Sequence, residues 1–232
     1  MTMSTSSAPP SPGGSGAFTL AAWNIRCGRN AGLTSAAKGL EQMRVGLAVV
    51  TETKITDDRY PRLASGFKIL ASKAANHNQG GIALLWKENH QGFEVELAKI
   101  LTPNLLTFQL VTGDERFYCM GAYIPPTDTM GVEDLWAAWE ACPEGCMPLI
   151  LGDLNIDFGD PRDERDEVIR DLIDDIDLVD ASRRYTPCQP RRQSTRARWT
   201  WRQKREGRMH YSQPDYVMVR DRDCRQFRNV GF

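Results

Sequence analysis

The stretch Pro148-Leu149-Ile150-Leu151-Gly152-Asp153-Leu154-Asn155 decides how this chain is read. Its apolar half predicts a buried strand, and its polar half sets an acid and an amide two residues apart where that strand ends. Side chains on a strand alternate with period two, so extended geometry carried past Leu151 points Asp153 and Asn155 to one side. A carboxylate there can orient or deprotonate a water, a neutral amide can hold a phosphate oxygen, and Gly152 lets another backbone come close. The same four residues, Gly152 to Asn155, also describe an ordinary turn after a strand.

Two further apolar runs end in an oxygen ligand. Residues 18 to 23, Phe-Thr-Leu-Ala-Ala-Trp, run into Asn24, and residues 47 to 51, Leu-Ala-Val-Val-Thr, run into Glu52. Between them residues 34 to 43 have helical composition, so 18 to 52 reads as strand, helix, strand. In open α/β sheets function gathers at strand ends. One carboxylate and one amide suit a hard cation that keeps several waters, Mg²⁺ or alternatively Mn²⁺, better than Zn²⁺.

The rest of the chain reads mainly as scaffold. Residues 80–86, 105–111 and 117–123 predict strands, with Gly80-Gly81 a tight lead into the first of them. Val132, Leu135, Trp136 and Trp139 form one apolar helix face, which assigns both tryptophans to core packing. Val168, Ile169, Leu172, Ile173 and Ile176 predict a second helix behind Asp160-Pro161. The formal net charge of −1 hides an asymmetry. Residues 153–180 hold twelve acids against three arginines, and 183–208 hold ten basic residues against Glu206 alone. The acids read as a solvated helix face, with only Asp153 in the chemistry. The basic segment interleaves Arg with Tyr185, Trp199 and Trp201, a mixture that suits phosphate contacts and base stacking and equally suits ion pairing with the acidic helix.

Composition bounds the remaining classes. At 232 residues and 41% apolar content the chain can bury one large α/β core. No run reaches membrane-span length. Residues 1–16 lack the features of a signal peptide and read as a disordered leader to a domain over 17–232. Six cysteines without a paired spacing suggest reduced thiols rather than a disulfide or zinc scaffold. An intracellular, soluble protein is expected, with a nuclear location left open.

Taken in order, these residues resemble the endonuclease/exonuclease/phosphatase superfamily, which includes deoxyribonuclease I and the apurinic endonucleases. Residues 23–26, Trp-Asn-Ile-Arg, and 51–54, Thr-Glu-Thr-Lys, are similar to its metal-binding motifs. Tyr123 in Gly121-Ala122-Tyr123-Ile124-Pro125-Pro126 is similar to the tyrosine that contacts the scissile phosphate. Gly152-Asp153-Leu154-Asn155 looks like the motif whose Asp positions the attacking water and whose Asn stabilises the phosphate. Trp199-Thr200-Trp201 approximates the Thr/Ser-x-Trp element, and residues 213–219 look like the strand whose Asp, here Asp215, orients a catalytic histidine.

The resemblance implies a four-layer α/β/β/α sandwich with two mostly antiparallel sheets. It implies Asn24 and Glu52 as metal ligands and Asp153, Asn155, Tyr123 and Asp215 as catalytic residues. Arg26, Arg198, Thr200, Trp201 and Arg202 would contact nucleic acid. The motif set is most similar to endonuclease domains of non-long-terminal-repeat retrotransposons, which implies a Mg²⁺-dependent enzyme nicking DNA, with RNA a second possible partner and a reverse transcriptase encoded downstream. The family ends in Ser-Asp-His before a final strand, whereas this chain stops at Phe232 and holds only His77, His90 and His210, none in that context. The expectation is a C-terminally truncated domain that lacks its last strand, binds duplex DNA in a salt-sensitive way and nicks it slowly. A phosphoesterase for small phosphoesters or phosphoinositides, and an inactive nucleic-acid-binding remnant, are the alternative readings.

Overall fold

The computed structural model describes residues 18–26, 29–56, 63, 66–126, 128, 130–156, 158, 163–181, 201–205, 208–212 and 215–227. Two sheets carry the architecture. The first has β1 (Leu20–Asn24), β2 (Leu47–Thr51), β4 (Ile82–Lys87) and β3 (Phe67–Ala71) in that order, with β1 and β2 parallel and the other pairs antiparallel. The second orders β5 (Glu94–Thr102), β6 (Leu105–Thr112), β7 (Glu115–Tyr123), β8 (Met147–Asp153), β12 (Asp215–Arg220) and β9 (Leu178–Asp180). Only its β7–β8 pair is parallel. A separate hairpin pairs β10 (Trp201–Arg205) with β11 (Arg208–Ser212).

The central strands β2, β4, β7 and β8 read as apolar runs because both of their faces are covered. Leu47 and Val49 of β2 and Ile82 and Leu84 of β4 meet Leu106, Phe108, Cys119, Leu149, Leu151 and Val219 of the second sheet. The alternate residues Ala48, Val50, Ala83 and Leu85 turn outward against Leu33, Ala37 and Leu40 of α1 (Arg29–Gln42). On the far side Met120, Ala122, Ile150 and Met218 pack under α2 (Met130–Glu140) and α3 (Glu164–Asp175). The layers are therefore helix, sheet, sheet, helix, as the resemblance implied. Alternation within each strand separates the three apolar layers.

Several local expectations are corrected. The core stripe of α2 is Val132, Leu135 and Ala138. Trp136 sits about 90° around the helix from its centre and is exposed, while Trp139 is half-buried with the Arg220 guanidinium 5.2 Å from its ring. Helix α3 begins later than Asp160-Pro161: Asp163 is the cap, its side chain accepting the Asp166 N–H, and Val168 faces solvent. The acids after Asp153 are not all solvated, since Asp166 and Asp180 are buried. Among the described residues Cys119, Cys142, Cys146 and Cys224 are free thiols, and no helix is long and apolar enough to cross a membrane.

Candidate active site at the strand ends

Four strands finish or start at one end of the sandwich and deliver a terminal polar residue there. Asn24 closes β1, Tyr123 closes β7, Asp153 closes β8 and Asp215 opens β12. Pairing fixes their spacing: Asp153 lies opposite Asp215 on one side and Tyr123 on the other. Each shares strand parity with residues of the inter-sheet core, Leu20, Cys119, Leu151 and Val217, and therefore turns into the space between the sheets.

Glu52 is brought in by a different device. It follows Thr51, and plain alternation would turn it toward α1. Its backbone instead takes φ +55°, the left-handed region that a Cβ disfavours, and so does Lys54 at φ +52°. The carboxylate consequently reaches the cluster: Glu52 Oε1 accepts Asn24 Nδ2–H at 3.1 Å and the Tyr123 hydroxyl at 3.2 Å. Lys54 Nζ sits 3.1 Å from Glu52 Oε2 and donates to the Arg26 carbonyl at 3.0 Å. Arg26 is also left-handed, at φ +50°, with its N–H on Asn24 Oδ1 at 2.9 Å. Non-glycine residues at positive φ cost energy and persist where surroundings over-determine them. Here three of them surround one carboxylate.

Asp153 is the centre of the site and is 1% exposed. Its Oδ2 accepts Asn24 Nδ2–H at 2.5 Å and its Oδ1 accepts the Asn155 N–H at 2.9 Å. That second bond closes a turn, so extended geometry stops at Asp153. Asn155 at φ +51° reaches the site through this turn rather than through strand alternation, as Leu154 packs into the α2–α3 core. The Asn155 side chain donates to the Ile124 carbonyl at 3.1 Å and meets the Tyr123 hydroxyl. Burial, the Asp215 carboxylate and, more weakly, Glu52 push the Asp153 carboxyl up to about 7, against the opposing bonds from Asn24 and Asn155. Burial and the charges of Glu52 and Asp153 push the Tyr123 hydroxyl well above its usual range, so it stays a donor.

Gly152 is required for a steric reason. Its φ is +149°, and a Cβ there would lie 1.9 Å from the Ala122 carbonyl oxygen. Sequence reasoning missed Arg165, which is buried and donates to the carbonyls of Leu154 (2.9 Å), Ile124 (3.3 Å), Asn155 (3.4 Å) and Asp128 (3.4 Å) while pairing with Asp166 at 2.8 Å. It ties the turn that carries Asn155 to the turn that follows Tyr123. A cation in the first turn of a helix opposes the dipole, and that misplacement is the signal that something else holds it. Lys54 lay inside a quoted motif without a role.

Among the predicted nucleic-acid contacts, Arg26 lies at the edge of the cluster and is exposed. Trp201 and Arg202 open β10, and the hairpin leads within three residues to Asp215. Arg198 and Thr200, like residues 1–16, expected to be a leader, and residues 228–232, lie outside the described residues. His210 falls in β11 opposite Gln203. His77 hydrogen-bonds Thr56, and His90 stacks on Phe93 at the opposite end of the sandwich.

As to a cation, the Glu52 and Asp153 carboxylates are brought together by Asn24 Nδ2, and the three residues offer carboxylate and amide oxygens with no sulfur or imidazole. No group of three or more His, Cys, Asp or Glu side chains among the described residues forms a protein cage for a metal. Mg²⁺ does not need one, since it binds through one or two carboxylates and keeps its waters. The donors fit that ion.

No known family profile matches the sequence, and neither does any curated protein. Solved structures do match. The endonuclease domain of TRAS1, a telomere-specific non-LTR retrotransposon, superposes with TM-score 0.62 at 14% identity over 89% of this chain and 86% of its own. An AP endonuclease from Archaeoglobus fulgidus gives 0.66 at 13% identity over 90% and 89%. The 3'-5' exonuclease NExo from Neisseria meningitidis gives 0.62 at 16% identity over 90% of each chain. These likenesses show the fold: the chain has a deoxyribonuclease I-like α/β sandwich.

Proposed function

We propose that this chain hydrolyses phosphodiester bonds of DNA with the help of a divalent cation, as a retrotransposon-type endonuclease nicking a target strand. The observation that carries the reading is the convergence of Glu52, Asn24, Tyr123, Asp153 and Asn155 in one hydrogen-bonded cluster at the strand ends. Glu52 and Asn24 would hold Mg²⁺ or Mn²⁺, which when bound supplies charge neutralisation at the phosphate. The protein's own groups do the rest. Asp153, buried at the centre of the cluster with its carboxylate oriented by Asn24 and the Asn155 N–H, would take a proton from the attacking water. Tyr123 stays protonated and donates to a phosphate oxygen, and Asn155 holds the phosphate without adding charge. Asp215, across the β8–β12 pair, keeps Asp153 basic.

DNA as substrate is supported by the Arg- and Trp-rich segment leading through the β10–β11 hairpin into Asp215, and by neighbours named as DNA-processing enzymes. A reverse transcriptase encoded downstream belongs to the same reading.

Single-turnover nicking of supercoiled plasmid tests this. Open circles should form in Mg²⁺, disappear in EDTA and be lost with Asp153→Ala. Hydrolysis of inositol phosphates without nicking would transfer the activity to small phosphoesters, and nicking that survives EDTA would overturn the metal reading.

A further inference from the structure

We propose that Asn104 is a positioning residue that sets Glu52 and Tyr123 against each other from the opposite sheets, an inference that rests on the site read above. Asn104 stands in the two-residue turn between β5 and β6, outside the motifs that identify the site. Its main-chain carbonyl accepts the Tyr123 N–H at 2.8 Å. Its side-chain Oδ1 accepts the Gly81 N–H at 3.2 Å. Gly80 and Gly81 then hold the Glu52 segment, because their carbonyls accept the N–H groups of Lys54 (3.1 Å) and Thr53 (3.2 Å). One residue of the second sheet is thus tied directly to Tyr123 and, through one glycine pair, to the two residues after Glu52.

The linkage is tightly built. Both glycines have positive φ, +89° and +84°, which lets their carbonyls turn toward residues 53 and 54. A Cβ on Gly81 would lie 2.4 Å from Thr53 Oγ1, and one on Gly80 would lie 3.0 Å from Asn104 Oδ1. The turn is anchored from below as well: Ser72 Oγ donates to the Pro103 carbonyl at 2.6 Å and accepts the Ile82 N–H at 2.9 Å. The Tyr123 hydroxyl and Glu52 Oε1 come from different sheets, so their 3.2 Å contact depends on how the sheets are registered at this rim. The Asn104 carboxamide joins the Ser72–Pro103 and Asn24–Asp153 bonds in setting that registration, and it alone of the three grips the glycine pair that holds residues 53 and 54. Left-handed Glu52 needs such a bracket, since an unrestrained segment relaxes to negative φ.

The test combines amide hydrogen exchange with Mn²⁺ titration on the whole chain. Asn104→Ala and Asn104→Leu remove the acceptor, and Asn104→Asp restores it. Loss of one net hydrogen bond predicts about fivefold faster exchange at Gly81, Thr53 and Lys54 in both non-accepting variants. Rates in α1 should be unchanged and wild-type protection should return in Asn104→Asp. Mn²⁺ affinity should fall about threefold or more in Asn104→Ala, as misplacement of one carboxylate costs part of its contribution. Unchanged exchange at residues 53, 54 and 81, or equal acceleration throughout α1, would overturn the proposal. A wild type that binds no Mn²⁺ would sink the metal role of Glu52, while the exchange rates still decide the role of Asn104.

Discussion

Replacing Asp153 by Asn should stabilise the metal-free protein, and the gain should depend on pH in a defined direction. The carboxyl is raised from 3.8 to about 7 by burial and by Asp215 and Glu52. A raised carboxyl means that the native state holds a proton the unfolded chain has released, so stability falls as pH rises through this window and the loss is complete above about 7. Roughly three units at 1.36 kcal/mol each put that loss at about 4 kcal/mol. Asn retains shape but cannot accept equally from both Asn24 and Asn155, which returns ~1 kcal/mol. The net gain at pH 8 is then about 3 kcal/mol, or roughly 9 °C in Tm for a domain of this size. At pH 5 most of the native Asp153 is already protonated, and the gap should shrink to about 1 or 2 °C. Thermal melts in EDTA at pH 5 and pH 8 read this directly. A variant melting at or below wild type at pH 8, or a gap that stays constant between the two, would refute the argument that Asp153 is held under electrostatic strain.

Other perturbations have distinct signatures. Arg165→Lys keeps a charge but loses the fork that serves four carbonyls, and should cost about 2 to 4 kcal/mol in urea denaturation. Gly152→Ala forces a Cβ against the Ala122 carbonyl one pair from the end of the β7–β8 ladder, and should leave no cooperative melting transition. Tyr123→Phe removes the donor to Glu52 and to the phosphate, and should lower the single-turnover nicking rate by about 10²-fold with little change in DNA binding by fluorescence anisotropy.

The sequence carried much of this fold because its central strands are buried on both faces and stand out as apolar runs, with β2, β7 and β8 leading into Glu52, Tyr123 and Asp153. Residues 47–51 match β2 without a shift, and Asn24, Tyr123, Asp153 and Asp215 all fall on strand ends. What it could not show was how the chain turns once a strand stops. Glu52 and Asn155 reach the site by left-handed backbone, a conformation that neither residue type announces. Arg165 was hidden because its partners are main-chain carbonyls, which have no side-chain identity to read. Trp136 was misassigned because helical spacing locates an apolar stripe only to within the width that the facing layer then covers.

The claim on which the functional reading turns is that Glu52 and Asn24 hold a divalent cation in front of Asp153. Water-proton relaxation during Mn²⁺ titration measures this without requiring turnover. One Mn²⁺ per chain should bind and be displaced by Mg²⁺, with affinity at least about tenfold weaker in Glu52→Gln and less affected in Asn24→Ala, since only the first removes a full charge. Wild type and Glu52→Gln binding Mn²⁺ equally, or neither binding it, would contradict the account.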